Sequence, residues 1–382
     1  MLSKYVFKSH IENQSVLVNI VTKKILLDSA DENLLKQYNF LEGQELEAIN
    51  ERLNIKQNSC KFIIIPTWEC NLRCTHCVVL NKLVKKDIIK LDIPAIIDFI
   101  QRFKEYNNLS LVEIGFVGGE PLLHPEILNE IIDKLNGSDY IFSITTNLSV
   151  EFNDEIIKCL KRLKFIEVSL DGDLPENNQQ RHALNKDFNP FIRTFNNLKQ
   201  TVIYKIPVIV KAALKDEFLN IDHYKRYYKT LLKIGIPKDK IKIFSLHPTE
   251  RDIVGEDSYH NFLKSNNIIS SYCCKHRLNS YVINKNEVLS DYYDMCKLGY
   301  VYDSIDSIIT NQLELTYKTL NYFTDENCNK CPVIGACWGG CTNGSTLKKD
   351  KPSQFCNQKA LIERINSLAV NGELIPLINA KF

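Results

Sequence analysis

From Lys61 onward, short apolar runs alternate with helical patterns, and this alternation limits the fold more than any other feature of the chain. Residues 62–65 form an apolar run closed by Pro66 and read as a buried strand. Further strands are expected at 111–116, 140–145, 165–170, 207–214 and 240–246. Helical periodicity fills the intervals at 93–103, 126–135, 154–163, 191–199 and 221–234, with Asn153 placed to cap the third of these. Strands separated by helices pair in parallel through right-handed crossovers, so the class is α/β. Six strands within residues 59–250 suit a partial (β/α)6 barrel, because a closed eight-stranded barrel takes about 250 residues.

In such sheets the chemistry gathers at the carboxyl ends of the strands. The notable residues of this chain fall there. A cysteine-containing loop follows the first strand, Gly118-Gly119-Glu120-Pro121 the second, Thr145-Thr146-Asn147 the third and Asp171-Gly172 the fourth.

At 382 residues the chain is too long for one ordinary domain. Three parts are expected: an appendage at 1–58, the barrel at 59–250 and a cysteine-rich part at 251–382, ending in a helix at 358–370. In the appendage, SVLVNIVTKKILLD reads as two short strands around a turn at 22–24, and EGQELEAINERL as a short helix. The formal charge of +2 gives no whole-chain attraction to nucleic acid or anionic membrane, and neither is expected as a partner. Lys85, Lys86 and Lys90 read as a solvated face. No segment has the apolar length of a membrane span, and MLSKYVFKSHIENQS has no apolar signal core, so a cytoplasmic location is expected.

Thirteen cysteines in a long chain of this kind point to metal or redox chemistry rather than to a disulfide framework. Cys60 and Cys159 read as small core residues. Cys70, Cys74 and Cys77 are different, because they crowd a polar loop with the spacing Cys-x3-Cys-x2-Cys. Three thiolates this close can bind three corners of a four-iron cluster and leave the fourth iron open for a ligand. Zinc is the competing reading, but structural zinc takes a closed set of four ligands.

The three-cysteine loop, with aromatic His76 before its last cysteine, resembles the radical S-adenosylmethionine (SAM) signature. Gly118-Gly119-Glu120-Pro121 resembles that family's glycine-rich element, and the likeness extends over about residues 60–356. The resemblance implies a [4Fe–4S] cluster on Cys70, Cys74 and Cys77, with SAM chelated at the open iron. It implies that Glu120 and the backbone around it hold the methionine amino group. The glycines are then expected because only a backbone without side chains approaches a ligand so closely. Asn147 and its neighbours, Ser169, Asp171 and Arg181 would line the ribose and carboxylate, Arg181 because a guanidinium suits a carboxylate. In the family, one electron from the reduced cluster splits SAM into methionine and a 5′-deoxyadenosyl radical, which takes hydrogen from substrate. A flavodoxin or ferredoxin is the expected electron donor.

The pattern Cys328-x2-Cys331-x5-Cys337-x3-Cys341-x14-Cys356, with Cys273, Cys274 and Cys296 before it, resembles the SPASM auxiliary-cluster domain. The resemblance implies a distal cluster on Cys328, Cys331, Cys337 and Cys356. It implies a nearer one on Cys341, Cys296 and one or both of Cys273 and Cys274. Two features depart from the pattern: Asp291 stands where the domain usually has Gly, and Cys273 and Cys274 are adjacent. Zinc is the alternative for this region.

Radical SAM proteins with such a domain commonly modify peptides. The leading expectation is a maturase that installs a thioether or carbon–carbon crosslink, or a related change, in a ribosomally made precursor peptide. The segment 1–58 would then bind the precursor's leader, sometimes done by strand addition. The alternative is a maturase of an enzyme, of the sulfatase or amine-dehydrogenase type. Lys297, where sulfatase maturases carry Asp, and His76, where they carry Tyr, count against it. A non-catalytic iron–sulfur carrier is the alternative of another class, but it has no use for the Gly-Gly-Glu-Pro element. Tyr292, Tyr293, Asp294 and Lys211 are candidate acid–base groups that the sequence does not rank.

Overall fold

The structure is a computed structural model. It describes residues 1–44 (except 4–5, 12–13, 20–21 and 23), 47, 58–77, 79, 90–172, 179–185, 188–214, 221–245, 279–290, 296–320 and 375–376. The chain begins with an antiparallel meander, β1 (Val6–Ile11), β2 (Gln14–Asn19) and β3 (Lys24–Leu27). Helix α1 (Glu32–Gln37) follows, capped by the Asp31 carboxylate, which accepts from the Leu34 N–H at 2.9 Å. Leu17, Leu26 and Phe40 close a small core beneath it. The two strands expected on either side of residues 22–24 are present. β1 and α1 are additional, and the helix expected within 42–53 lies outside the described residues except at 42–44 and 47.

The main chain of strands and helices runs β4 (Ser59–Ile65), β5 (Leu72–Cys74), α2 (Ile93–Tyr106), β6 (Leu111–Phe116), α3 (Pro125–Lys134), β7 (Tyr140–Thr146), α4 (Asp154–Lys161), β8 (Phe165–Ser169), β9 (Arg181–Ala183), α5 (Pro190–Ile203), β10 (Val208–Leu214), α6 (Ile221–Lys233) and β11 (Ile241–Ser245). Strands β4, β6, β7, β8, β10 and β11 pair in parallel in that order, as the alternation requires. Asn153 caps α4 through its side chain, 2.9 Å from the Ile156 N–H.

Period two along the strands separates two faces. One packs under the helices. Helix α2 buries Ile93, Ile96, Ile97, Phe99, Ile100 and Phe103, an apolar stripe at helical spacing. Phe62 of β4 meets Phe99 and Phe103 edge-on, with ring centroids at 5.9 and 5.3 Å. Cys60 and Cys159 are buried in this core, as expected. The opposite face is polar and partly buried from β4 to β10, and turns apolar at the β4 edge, at Ile63, Ile65 and Val282. It carries a Lys61–Glu113 pair at 3.9 Å and a Lys211–Glu167 pair at 2.6 Å, and Thr145 donates to Glu167 at 3.1 Å.

The sheet does not stop at residue 250. Strand β12 (Ser280–Asn284) pairs in parallel with β4, and β13 (Glu287–Leu289) and β14 (Lys297–Tyr300) extend it antiparallel to nine strands. The six-stranded unit expected from the sequence is therefore one part of a wider, parallel-rich sheet. The reason is apolar area at the β4 edge. Tyr281 stacks on Phe62 at 5.7 Å, and Val282 and Leu289 pack with Ile65 and Trp68. Helix α7 (Ile305–Leu320) then packs on β14 and α2. A short strand β15 (Ile375–Pro376) pairs in parallel with β3, joining the end of the chain to its beginning. Among the described residues, no helix is long and apolar enough to cross a membrane.

Candidate iron–sulfur and cofactor site

The loop after β4 crosses the carboxyl end of the sheet as a ribbon. Its residues Leu72–Cys74 (β5) pair antiparallel with β9, with Leu72 opposite Ala183, Arg73 opposite His182 and Cys74 opposite Arg181. The Thr75 N–H to Gln180 carbonyl and Leu184 N–H to Asn71 carbonyl bonds, both 2.8 Å, prolong the pairing at either end. Arg73 ties the loop down by donating from Nη1 to the carbonyls of Cys70 (2.9 Å) and Leu72 (2.7 Å). The Leu72 N–H points at Cys70 Sγ (3.4 Å), and Asn147 Nδ2 lies 3.8 Å from the same sulfur. Arg181 Nη1 lies 3.8 Å from Cys74 Sγ.

The Gly-Gly-Glu-Pro segment packs backbone to backbone on this loop. The Gly119 N–H donates to the Thr67 carbonyl at 2.9 Å, and the Glu120 N–H to the Glu69 carbonyl at 2.7 Å. A Cβ on Gly118, whose φ is +148°, would fall 2.4 Å from the Thr67 oxygen, and one on Gly119 would fall 2.1 Å from the Glu69 oxygen. The glycines were expected to make room for a ligand. In the structure, the backbone of the cysteine loop itself excludes a side chain at both positions. Pro121 opens a buried 3-10 turn, Pro121–Leu123.

Glu120 is wholly buried. Its Oε1 accepts from Thr146 Oγ1 (2.6 Å) and the Leu122 N–H (3.1 Å), and its Oε2 from the Asn147 N–H (2.7 Å). Burial pushes its pKa up to about 7, against the pull of these three bonds. The side chain thus fastens the second strand end to the third.

Asn147 continues the chain of contacts. Its Nδ2 donates to Asn71 Oδ1 (2.9 Å), Asn71 donates to Ser149 Oγ (2.9 Å), and the Ser149 N–H returns to Asn147 Oδ1 (2.8 Å). From α5, Thr194 donates to the Asn147 carbonyl (2.8 Å), and Asn197 to the carbonyls of Leu148 (2.8 Å) and Val150 (2.7 Å). These bonds hold Leu148 at φ +53°. Asn71, Thr194 and Asn197 were not singled out from the sequence. Their partners are set by tertiary contact, and no local pattern marks them.

Asp171 and Arg181 form a buried two-point pair, with Nε to Oδ2 at 2.6 Å and Nη2 to Oδ1 at 2.9 Å. Gln180 Nε2 donates to Oδ2 at 3.2 Å, and His76 Nε2 stands 3.7 Å from it. Arg181 was expected against the carboxylate of the cofactor; its carboxylate partner here is Asp171. Ser169 is half-buried at the end of β8. Cys296 is half-buried just before β14. Cys273, Cys274, Cys328, Cys331, Cys337, Cys341 and Cys356 lie outside the described residues, as do Tyr292, Tyr293, Asp294 and the helix expected at 358–370.

The donor set fits an iron–sulfur cluster. Burial pushes the Cys70 thiol up to about 12 and also raises Cys74 and Cys77; at Cys74 the Arg181 charge pulls the other way. Metal ligands must be thiolates, and N–H donors aimed at two of the sulfurs are what such anions need. Among the described residues, no three His, Cys, Asp or Glu side chains are gathered tightly enough for one ion. A zinc ion draws its sulfurs to about 2.3 Å, whereas the thiolates of a four-iron cluster bind different irons and stand further apart.

Residues 64–212 match the model of the Radical SAM superfamily. This stretch is similar to a radical SAM domain. The match opens inside β4 and closes inside β10, so it takes in the cysteine ribbon, the Gly-Gly-Glu-Pro segment, Asn147, Asp171 and Arg181. Members of this superfamily are enzymes that use a [4Fe–4S] cluster and SAM. The chain is 30% identical over 171 residues to the S-adenosylmethionine-dependent nucleotide dehydratase of Flammeovirga pacifica, covering 41% of this chain and 58% of that protein. The match thus takes in less than two thirds of that relative's length. It is 22% identical over 392 residues to the radical SAM cyclopropyl synthase TigE of Paramaledivibacter caminithermalis, covering 89% of this chain and 79% of that one. Among solved structures, native anSMEcpe with bound AdoMet and Cp18Cys peptide shares the fold, with a TM-score of 0.61 at 16% identity over 82% of this chain and 98% of that one.

Proposed function

We propose that this protein is a radical SAM maturase that modifies a ribosomally made precursor peptide. The observation that carries the first half of this reading is the packing of the Cys70–Cys74–Cys77 ribbon on Gly118–Gly119. It holds the three-cysteine loop at the carboxyl end of the sheet, where Cys70 and Cys77 pack against the apolar cluster of Ile65, Trp68, Val79, Val282 and Leu289. Cys70, Cys74 and Cys77 would hold the cluster, whose chemistry with bound SAM is one-electron cleavage to a radical that removes hydrogen from substrate. Gly118, Gly119, Glu120, Pro121, His76, Asn147, Ser169 and Asp171 would surround the SAM. The polar face below, with Glu167 and Lys211, would receive the residue to be modified.

The peptide half of the reading is supported by similarity over most of the chain to TigE, and by a fold shared with a SAM-bound protein that holds a peptide. The meander β1–β3 with α1 offers a strand, β1, at a sheet edge, where an extended leader would add by backbone pairing. Residues 251–382 would carry the auxiliary clusters on the later cysteines, with β12–β14 anchoring them to the barrel sheet. An enzyme-directed maturase of the sulfatase type fits less well. Lys297, which follows Cys296, pairs with Glu287 at 3.2 Å and lies over the Tyr300 ring, not in the role of a base.

The test is anaerobic reconstitution with iron and sulfide, reduction with dithionite, and chromatography for 5′-deoxyadenosine. Product should form, and a short peptide encoded beside the gene should change mass. A fully loaded protein that never cleaves SAM would refute the reading.

A further inference from the structure

We propose that Arg181 is a positioning residue of the cluster that raises its reduction potential by presenting a charged N–H to the Cys74 sulfur. This rests on the reading that Cys70, Cys74 and Cys77 hold the cluster. Three observations carry it. The β5–β9 ladder places Arg181 directly opposite Cys74, so backbone pairing brings the two side chains together. Nη1 lies 3.8 Å from Sγ. The remaining edge of the guanidinium, Nε and Nη2, is taken up by both oxygens of Asp171.

That edge is one of the two with which arginine recognises carboxylates at two points, the other being the Nη1–Nη2 end. An incoming carboxylate could take the side-on edge only by displacing Asp171, which is wholly buried and also held by Gln180, and could take the Nη1–Nη2 end only by competing with the Cys74 sulfur for Nη1. Asp171 grips one edge of the planar fork, and Cys74 faces the nitrogen outside that edge. The pair is therefore a fixed dipole with its positive end toward the sulfur. One-electron reduction adds a negative charge to the cluster. A cation and an N–H donor at a ligating sulfur favour that state, and the guanidinium here is buried, where its charge is less screened than at the surface.

The experiment is a redox titration of the reconstituted full chain, without SAM, with dithionite as reductant. It follows the paramagnetic signal that the Cys74→Ala protein lacks, which separates this cluster from any other. Arg181→Met should lower the equilibrium constant for reduction about tenfold, which is about 59 mV for a one-electron couple. Arg181→Lys, which keeps the charge but not the two-point anchor, should recover part of the shift. Arg181→Met leaves Asp171 buried without its partner, so the double variant Asp171→Asn/Arg181→Met provides a second measure free of that charge and should move the same way. An unchanged potential in both, with weakened SAM binding by calorimetry, would overturn the inference and place Arg181 on the cofactor instead. A Cys74→Ala protein that keeps every signal would overturn the cluster reading beneath it.

Discussion

Gly119 and Glu69 are in backbone contact: a Cβ on Gly119 would stand 2.1 Å from the Glu69 carbonyl oxygen. Glu69 is the residue before Cys70, so the glycine sets how closely the second strand end can lie beneath the cysteine loop. Neither partner can yield, because the atom met is backbone and the Glu120 N–H bonds to the same oxygen at 2.7 Å. Gly119→Ala should displace the loop at a cost of about 3 kcal/mol. Iron bound per chain after reconstitution and the thermal midpoint should both fall.

Glu120 makes a signed prediction about pH. Burial lifts its pKa in the folded chain to about 7, from 4.5 when exposed. The folded state therefore holds a proton that the unfolded state releases at lower pH. The stabilisation is fully present below about pH 4.5 and is lost as pH rises toward 7. The loss amounts to about 3 kcal/mol at most. In cluster-free protein the urea midpoint should fall between pH 5 and 7.5, and Glu120→Gln should flatten that slope. A wild-type midpoint that rises over this range would contradict the assignment.

Asn197 supports the site from a distance. Its amide satisfies two carbonyls, those of Leu148 and Val150, beneath the turn that carries Asn147. Asn197→Ala should destabilise the chain by about 2 kcal/mol, since buried acceptors lose their donor. It should also speed iron loss to a chelator, because Asn147 contacts Asn71 and Cys70 directly.

The proposed roles of the cysteines can be separated by substitution. Changing Cys70, Cys74 or Cys77 to Ala should abolish 5′-deoxyadenosine formation. Changing Cys328 or Cys356 should leave part of it and remove the modified product. Full cleavage in Cys74→Ala would be incompatible with the proposal that Cys74 is a ligand.

Much of this chain is legible before folding is considered. The boundaries of β6 and the Asn153 cap follow from residues within a turn or two of each other. The three-cysteine spacing is equally local, as is the placement of each notable segment at a strand's carboxyl end. The reason is that strand and helix periodicity, capping and loop spacing are all short-range properties.

The rest was decided by tertiary structure. Arg181 meets Cys74 across 107 residues, through a short antiparallel ladder that no periodicity announces. Trp68 reaches Asn284 across 216, because β12 closes the exposed edge of β4. The two glycines were recognisable as a motif. Why they must be glycine depends on which backbone lies against them, and only the packed loop supplies the carbonyls of Thr67 and Glu69. Sequence determined the six alternating strands with their helices and the three-cysteine loop. Packing determined the partners, because side chains far apart in the chain meet only where buried area and backbone pairing bring their elements together.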